Sequence, residues 1–188
     1  GSKSNESKIK LIKSSGVKLQ NFTNFDEPEG KPVICFAARL LQIKGVYEYI
    51  SAVRLLKRQG IEARFCLAGN LDASNKRGLN INDLNKIKKE AFIEVLGHQN
   101  DIAKLYAESH IICLPSYREG FPKSLIEAAA ASRAIVTTDV PGCRDAIIPN
   151  KTGILVPSKD PQKLADALKW LIENPEDRIA MGKAGRKF

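Results

Sequence analysis

The sequence predicts a doubly wound α/β domain, in which helices cover both faces of a parallel β-sheet. Short apolar runs alternate along the chain with segments of helical periodicity, which is the pattern of strand–helix units. The runs are apolar at successive positions, as expected for strands that are buried on both faces. A chain of 188 residues, 43% of them hydrophobic, is long enough to form one core of this kind.

The first half of the chain contains three predicted strand–helix units. PVICFAARL is an apolar, β-branched run, and the next segment has apolar side chains at helical spacing until Gly60 ends it. EARFCLAG leads through a polar loop into a helical pattern, and FIEVLG leads directly into another. We therefore predict strands over residues 32–40, 62–69 and 92–97, and helices over residues 44–60, 82–91 and 100–109.

The second half continues the alternation. HIICLPS, AIVTTD and GILVPS predict strands over residues 110–116, 134–139 and 153–158. Pro122 suits the first turn of a helix that ends near Ser132. Asp160 and Pro161 combine an N-cap acid with a first-turn proline, so we predict a helix there that ends near residue 174. Pro175 then begins a short final helical segment.

Charge and cysteine content limit the class of protein without choosing a function. The net charge of +9 fits a nucleic acid, an anionic membrane surface or a phosphorylated substrate as the partner. The basic excess lies mainly at the two ends, where such runs are ordinarily solvated: Lys3, Lys8, Lys10, Lys13 and Lys18, and Arg178, Lys183, Arg186 and Lys187. Four single cysteines without a CxxC pair predict reduced thiols in a cytoplasmic protein. No apolar run approaches the ~20 residues of a membrane span, and no signal peptide is recognisable.

The chain divides into a polar beginning and one domain. Gly1 and Ser2 resemble the remnant of a removed tag, so we expect the chain to be part of a longer polypeptide. Residues 1–25 are predicted to be this remnant followed by a linker between domains. Residues 26–188 are predicted to form the domain itself.

Ligands of parallel α/β sheets bind where the strands end, at the point where the strand order reverses. Arg39 and Lys44 follow the first predicted strand, where a guanidinium and an ammonium group would hold a diphosphate, unless they belong to a solvated loop. Gly69 follows the second strand and would let the backbone approach a ligand closely. Gly97 and His98 follow the third strand, although a single histidine is more often structural than catalytic.

The stretch SYREGFPKSLIEAAAA follows the fourth strand and places two acids around a helix start. Glu119 precedes the predicted helix, and Glu127 lies about 7 Å further along its axis. Free N–H groups and the helix dipole at such a start favour phosphate, whereas carboxylates accept hydrogen bonds from hydroxyl groups. A phosphorylated ligand with several hydroxyl groups fits both. The alternatives are that Glu119 only stabilises the helix start and that Glu127 faces solvent.

These motifs, in this order, resemble family 4 of the retaining nucleotide-sugar glycosyltransferases, also called glycosyl transferases group 1. EGFPKSLIE resembles the Glu-x7-Glu motif of that family, and ARLLQIKG, AGN, VLGHQNDIAKLY, TTDVPGC and GILVPSKDPQKLADAL resemble its other strand-end segments. The resemblance covers residues 32–174 and is to the carboxyl-terminal, donor-binding domain, a Rossmann-like half of the two-domain GT-B fold. Residues 5–25 resemble the segment between the two domains.

The resemblance implies a role for each charged site residue. Arg39 and Lys44 would bind the diphosphate of the donor and stabilise the leaving nucleotide as the glycosidic bond breaks. Glu119 would bind the transferred sugar, and Glu127 the hydroxyl groups of the ribose. His98, with the backbone of the Gly97 turn, would line the pocket for the base.

The resemblance also implies roles for backbone amides around the start of the helix. The amides of Gly120, Phe121 and Lys123 would assist Glu119 at the sugar. Those of Ser124 and Leu125 would meet the phosphates.

One loop departs from the family pattern, and the expected chemistry needs no metal. In VPGCRDAI, Pro141 and Asp145 stand where the family often has a glycine and a glutamate, so no sugar preference is inferred from this loop. No DxD motif stands at a strand end, and we expect neither a metal nor another cofactor, with a UDP- or GDP-sugar as the substrate. Retention of configuration could follow a double displacement, which needs a carboxylate nucleophile close to the anomeric carbon, or a front-face reaction in which the leaving phosphate helps to deprotonate the acceptor. Because no residue is marked as a nucleophile, we favour the front-face reaction.

The sequence therefore predicts the donor-binding half of an enzyme that transfers sugar to a glycan or a lipid-linked acceptor, in bacterial surface polysaccharide synthesis. The fragment is expected to bind a nucleotide but not to transfer sugar without its amino-terminal acceptor domain. Contact of the basic ends with the inner face of the membrane is a further hypothesis. The alternatives are a nucleotide-sugar epimerase, a glycan phosphorylase, or a non-enzymatic module that binds nucleic acid or membrane. Few aromatic residues, 6%, speak against nucleic acid as the partner.

Overall fold

A computed structural model describes residues 16–22, 26–72, 74–75 and 77–188 of the chain. The strands are β1 (Val33–Ala37), β2 (Arg64–Ala68), β3 (Glu94–Gly97), β4 (Ile111–Leu114), β5 (Ala134–Thr138) and β6 (Gly153–Val156). The α-helices are α1 (Val46–Arg58), α2 (Ile81–Glu90), α3 (Ile102–Ala107), α4 (Lys123–Ala130), α5 (Pro141–Arg144), α6 (Pro161–Glu173) and α7 (Pro175–Lys187). Short 3-10 turns lie at Leu19–Asn21 and Gln42–Lys44.

The strands form one sheet in the order β3-β2-β1-β4-β5-β6, and every neighbouring pair is parallel. The chain enters at the centre in β1, winds outward to β3, returns to β4 and winds outward to β6. The predicted doubly wound fold is confirmed. The strand order reverses between β1 and β4, so the loops after these two strands lie at the switch point.

Alternate residues of the strands other than β3 contribute to two hydrophobic layers, one on either face of the sheet. In β1, Ile34 and Phe36 pack with Tyr49 of α1 and with α6 on one face. Cys35 faces the other layer, which contains α3 and α4. This arrangement explains why the strand sequences are apolar at successive positions.

The predicted strands and helices are present, and the main differences lie after β5 and at the carboxyl end. The loop after β5 contains the short helix α5, which was not predicted. The final segment is not short, because α7 has thirteen residues. Gly182 and Gly185 lower the helical propensity of α7, but both are buried in contacts with the domain. Tertiary packing therefore extends this helix beyond what the local pattern indicates.

Part of the predicted linker packs against the domain. Within residues 16–22, Phe22 is buried in the layer that contains α3 and α4. Residues 1–15 and 23–25 of the predicted linker lie outside the described residues, and so do the four lysines of the amino-terminal basic run before Lys18.

The basic carboxyl-terminal run is only partly solvated, which corrects the sequence interpretation. Arg178 is buried and makes an ion pair with Glu27, with 2.8 Å between Nη2 and Oε2. Arg186 donates hydrogen bonds to the backbone carbonyls of Phe22 and Ala130. These two cations hold α7 to the rest of the domain, so the exposed basic face is smaller than the sequence suggests.

The cysteines match their predicted state. All four, Cys35, Cys66, Cys113 and Cys143, are buried free thiols. Burial raises the pKa of Cys66 to about 11, which keeps its thiol protonated and unreactive near neutral pH. None of the helices in the described ranges combines the length and apolarity needed to cross a bilayer.

Candidate functional site

The loop after β1 and the turn after β4 are held together at the switch point. The N–H of Tyr117 donates to the carbonyl of Ile43 over 2.9 Å. Gly45 has a φ of 75° and lies so close to Pro115 that a Cβ atom there would overlap the carbonyl oxygen of Pro115. Glycine is therefore required at this position both for its backbone conformation and for this approach. The contact brings Lys44 to the turn that carries Glu119.

Lys44 and Glu119, which the sequence predicts to share one site, are directly bonded. Lys44 Nζ lies 2.6 Å from Glu119 Oε1, and Ser116 Oγ donates to the same oxygen over 2.6 Å. Only 9% of the Glu119 side chain and 23% of the Lys44 side chain is exposed. Partial burial strengthens such a pair relative to one at the surface. The ammonium group is thus positioned at the mouth of the turn, with Glu119 beside it.

Arg39 lies in a separate part of the site. Its Nη1 atom is 3.4 Å from Asp72 Oδ2, and 65% of its side chain is exposed. A hydrogen bond from the Ser74 hydroxyl group lowers the pKa of Asp72, which keeps this carboxyl group ionised. The structure therefore does not place Arg39 and Lys44 on a common partner, and it adds Asp72, which the sequence analysis missed.

Arg39 and Asp72 line a cleft of about 560 Å³ at the ends of β1, β2 and β3, the strand-end cleft. His98 and Gly69 also line this cleft, as expected for residues that follow β3 and lie after β2. A Cβ atom at Gly69, where φ is 149°, would overlap the backbone carbonyl of Ala38. Glycine is therefore needed at this position for the approach of the chain to itself, and the close approach of the Gly69 backbone to a ligand stays a prediction.

Glu127 lines a second cleft of about 1080 Å³, the Glu127 cleft. Its side chain is 15% exposed and lies 3.2 Å from the ammonium group of Lys123, one helical turn earlier. Lys18 and Asn21, from the segment before the domain, also line this cleft. Ile102 lines both clefts, so the two adjoin beside the start of α3. The alternative that Glu127 simply faces solvent is wrong.

Most of the predicted amides at the start of α4 have no acceptor in the described part of the chain. Pro122 is the N-cap rather than a residue of the first turn, and the helix begins one position later than predicted, at Lys123. The N–H groups of Gly120, Phe121, Lys123 and Ser124 make no hydrogen bonds to described residues. Leu125 differs, because its N–H donates to the carbonyl of Pro122 over 3.1 Å. The helix start thus offers donors to an anion, but the prediction for Leu125 is corrected.

The turn that carries Glu119 is in contact with β5 and α5. The hydroxyl group of Thr138 donates to the carbonyl of Ser116. A Cβ atom at Gly142 of α5 would overlap the carbonyl oxygen of Gly120, so α5 packs directly under the turn. Sequence reasoning treated this loop only as a departure at Pro141 and Asp145. In the structure Pro141 is the first residue of α5 and Asp145 follows its last.

The contribution of Ser116 was also missed. The signal available in the sequence was its place at the end of a strand, three residues before Glu119. Among the described residues, no group of three His, Cys, Asp or Glu side chains is placed to hold a metal ion. The expectation that no metal is required stays a prediction.

Comparisons with known proteins identify the relatives of this chain. An N-acetylgalactosaminyltransferase of Campylobacter jejuni, which acts on N,N'-diacetylbacillosaminyl-diphospho-undecaprenol, is 32% identical over 95% of this chain and 49% of its own length. The solved C-terminal domain of a group 1 family glycosyl transferase from Francisella tularensis covers 92% of this chain and 95% of its own, with a TM-score of 0.76 and 24% identity. The structure of HepE of Anabaena, solved in complex with UDP, matches over 90% of this chain and 44% of its own, with a TM-score of 0.74 and 20% identity.

These comparisons establish the family and the extent of the match. The chain spans about half the length of the Campylobacter relative, whereas it corresponds to nearly all of the Francisella domain. The model for glycosyl transferases group 1 matches residues 17–188, which is almost the whole described chain. The chain therefore belongs to the glycosyl transferases group 1 family.

Proposed function

We propose that this chain is the donor-binding domain of a retaining glycosyltransferase, which transfers sugar from a nucleoside-diphosphate sugar to a glycan or lipid-linked acceptor. The observation that carries the proposal is the Lys44–Glu119 pair at the switch point, which sets a cation for phosphate beside an acceptor for sugar hydroxyl groups. The reported relatives include a transferase that acts on an undecaprenol-linked acceptor and a protein solved with UDP, which supports transfer over epimerisation. The acceptor site would lie in the other half of the whole polypeptide.

The site residues would act mainly on the charge that develops as the glycosidic bond breaks. The leaving nucleoside diphosphate gains negative charge, and Lys44 would stabilise it with donors that are already positioned. The ammonium group has three donors, so it can bond a phosphate oxygen while it stays near Glu119. Arg39 would add a second cation, because its exposed guanidinium group can leave Asp72 for the diphosphate. The free amides of Lys123 and Ser124 would bind phosphate oxygens at the start of α4.

The two acids would bind different parts of the donor. Glu119 would accept a hydrogen bond from the transferred sugar, and Glu127 would accept hydrogen bonds from the ribose at the wall of its cleft. His98 would border the base in the strand-end cleft. The bond between the anomeric carbon and the phosphate oxygen would break as the bond to the acceptor oxygen forms on the same face of the sugar. The acceptor hydroxyl would pass its proton to the leaving phosphate.

Calorimetric titration of the chain with UDP, GDP and ADP tests this proposal and identifies the base. We expect binding of UDP or GDP and no sugar transfer by the chain alone. Glu127→Ala should weaken the binding of UDP itself, because the ribose contact is lost. Glu119→Ala should act mainly on the binding of a UDP-sugar.

Thermal unfolding of each variant controls for misfolding. Absence of binding to all three nucleotides by folded protein would contradict the donor-site assignment. An equal loss of plain nucleotide affinity in both variants would contradict only the division of roles between the two acids.

A further inference from the structure

The hydroxyl group of Ser116 and the ammonium group of Lys44 meet on a single oxygen of Glu119. Both groups lie 2.6 Å from Oε1. No described residue donates a hydrogen bond to Oε2. A carboxylate can accept about four hydrogen bonds, two on each oxygen. The chain therefore occupies one side of the Glu119 carboxylate and leaves the other available.

The position of Ser116 is fixed by the sheet rather than by the turn. Ser116 is wholly buried, and its carbonyl accepts a hydrogen bond from the hydroxyl group of Thr138 in β5. The preceding residue, Pro115, is in contact with Gly45 across the switch point. Ser116 thus lies two residues beyond β4 and is tied to β5, whereas Glu119 lies further along the turn. The hydrogen bond from Ser116 to Glu119 therefore fixes the carboxylate relative to the sheet.

We propose that Ser116 is a positioning residue, which holds Glu119 Oε1 so that Oε2 is directed to the transferred sugar. The inference rests on the proposed function. Lys44 would also bond the diphosphate, so its ammonium group would share its donors between the phosphate and Glu119 when the donor binds. Within the described ranges the Ser116 hydroxyl makes no hydrogen bond other than the one to Glu119, so we expect that bond to persist in the donor complex. Ser116 therefore matters most when both the phosphates and the sugar are present.

The variant Ser116→Ala tests the inference through the ratio of two affinities. Calorimetry gives the affinities for UDP and for a UDP-sugar, either UDP-glucose or UDP-N-acetylgalactosamine, whichever the unmodified chain binds more tightly. We expect the affinity for UDP to change by less than about twofold, and the ratio of UDP-sugar to UDP affinity to fall about tenfold, as for a hydrogen bond to a charged group. An equal loss for both ligands would overturn the inference.

A matched control is available in Ser109→Ala. Ser109 is as buried as Ser116, and its hydroxyl group donates to the carbonyl of Leu105 over 2.7 Å, away from the turn. This variant loses a comparable buried hydrogen bond but should leave the ratio of affinities unchanged. A fall of the ratio in Ser109→Ala as large as that in Ser116→Ala would assign the effect to general loosening, and it would overturn the inference.

A double variant separates positioning from direct contact with the ligand. In a Glu119→Ala background the carboxylate that Ser116 holds is absent, so adding Ser116→Ala should not lower the ratio further. A further fall of several-fold would mean that Ser116 acts on the sugar without Glu119. If Ser116→Ala does not fold, Ser116→Cys keeps a similar size and a weaker donor, and it should give an intermediate ratio.

A measurement without ligand distinguishes failure of the inference from failure of the proposed function. The carboxyl ¹³C resonance of Glu119, assigned by its loss in Glu119→Gln, should shift in Ser116→Ala and stay unchanged in Ser109→Ala. An unshifted resonance would overturn the positioning role. A shifted resonance in a chain that binds no nucleotide would support the positioning of Glu119 and reject the proposed function.

Discussion

At the scale of single residues, burial distinguishes the Lys44–Glu119 pair from other ion pairs of the same length. Lys31 Nζ also lies 2.6 Å from a glutamate, Glu62, but 66% of the Lys31 side chain is exposed, against 23% for Lys44. Water screens the exposed pair, so that pair contributes little to stability. The half-buried pair, with a third group on the same oxygen, is held more firmly.

This contrast supplies a matched test of the phosphate role. Lys44→Met should lower the affinity for UDP about tenfold or more, because a charge-assisted hydrogen bond to the diphosphate is lost. Lys31→Met removes a lysine from an ion pair of equal length and should leave the affinity unchanged. Calorimetric titration of both variants checks this expectation. Equal affinities of Lys44→Met and the unmodified chain for UDP would contradict the role assigned to Lys44.

His110 should make stability depend on pH. It is almost wholly buried, its Nδ1 accepts the N–H of Val33 over 2.9 Å, and burial lowers its pKa below the ordinary 6.5. The unfolded chain therefore takes up a proton on this histidine at a higher pH than the folded chain does. The stabilisation is fully present above about pH 6.5 and is lost as the pH falls through the folded pKa, by at most about 1.4 kcal/mol per pH unit.

Chemical unfolding of variants between pH 8 and pH 5 checks this pH dependence. The unfolding free energy of the unmodified chain should rise with pH over this range, and His110→Asn should flatten that slope. An unchanged slope in His110→Asn would show that the pH dependence has another origin.

At the scale of elements, the sequence could predict what depends on local pattern and could not predict what depends on distant contacts. The strands and the positions of Arg39, Lys44 and Glu119 beyond their ends follow from apolar runs in a parallel sheet. The bond between Lys44 and Glu119 joins residues 75 positions apart and depends on the packing of two loops. The partner of Arg39, Asp72, is likewise set by tertiary structure.

The length of helix α7 also depends on contacts with residues distant in sequence, and two of its glycines, Gly182 and Gly185, differ in those contacts. A Cβ atom at Gly182 would overlap the carbonyl oxygen of Ser132, whereas one at Gly185 would meet Ala129 at an ordinary 3.6 Å. Gly182→Ala should therefore lower the unfolding free energy by about 1–3 kcal/mol through overpacking. Gly185→Ala should leave it unchanged or raise it by up to about 1 kcal/mol, because alanine favours the helix. Urea unfolding checks both, and similar effects of the two substitutions would contradict the packing of α7 described above.

At the scale of the whole molecule, the first described residues of the domain and its last helix hold each other in place through buried charges. Arg178 bonds both carboxylate oxygens of Glu27 and also donates to the carbonyl of Leu171. The buried Arg133 donates to the carbonyls of Asp26 and Tyr106. Segments more than 100 positions apart in sequence are joined here. Arg186 of the same helix donates to the carbonyl of Phe22, which lines the Glu127 cleft, so α7 also contacts the wall of the proposed donor site.

Loss of charge at the buried Arg178–Glu27 pair should lower the unfolding free energy far more than loss of charge at an exposed ion pair. Glu27→Gln leaves the buried Arg178 without a charge partner, which should lower the unfolding free energy by about 3–5 kcal/mol. Glu62→Gln, at the exposed pair with Lys31, should have a much smaller effect because water screens that pair, although its 2.6 Å contact is shorter than the 2.8 Å of the buried pair. Urea unfolding of the two variants measures this difference. Equal effects would mean that water reaches Arg178 once Glu27 is neutral, so α7 would be anchored by its apolar contacts rather than by the buried charges.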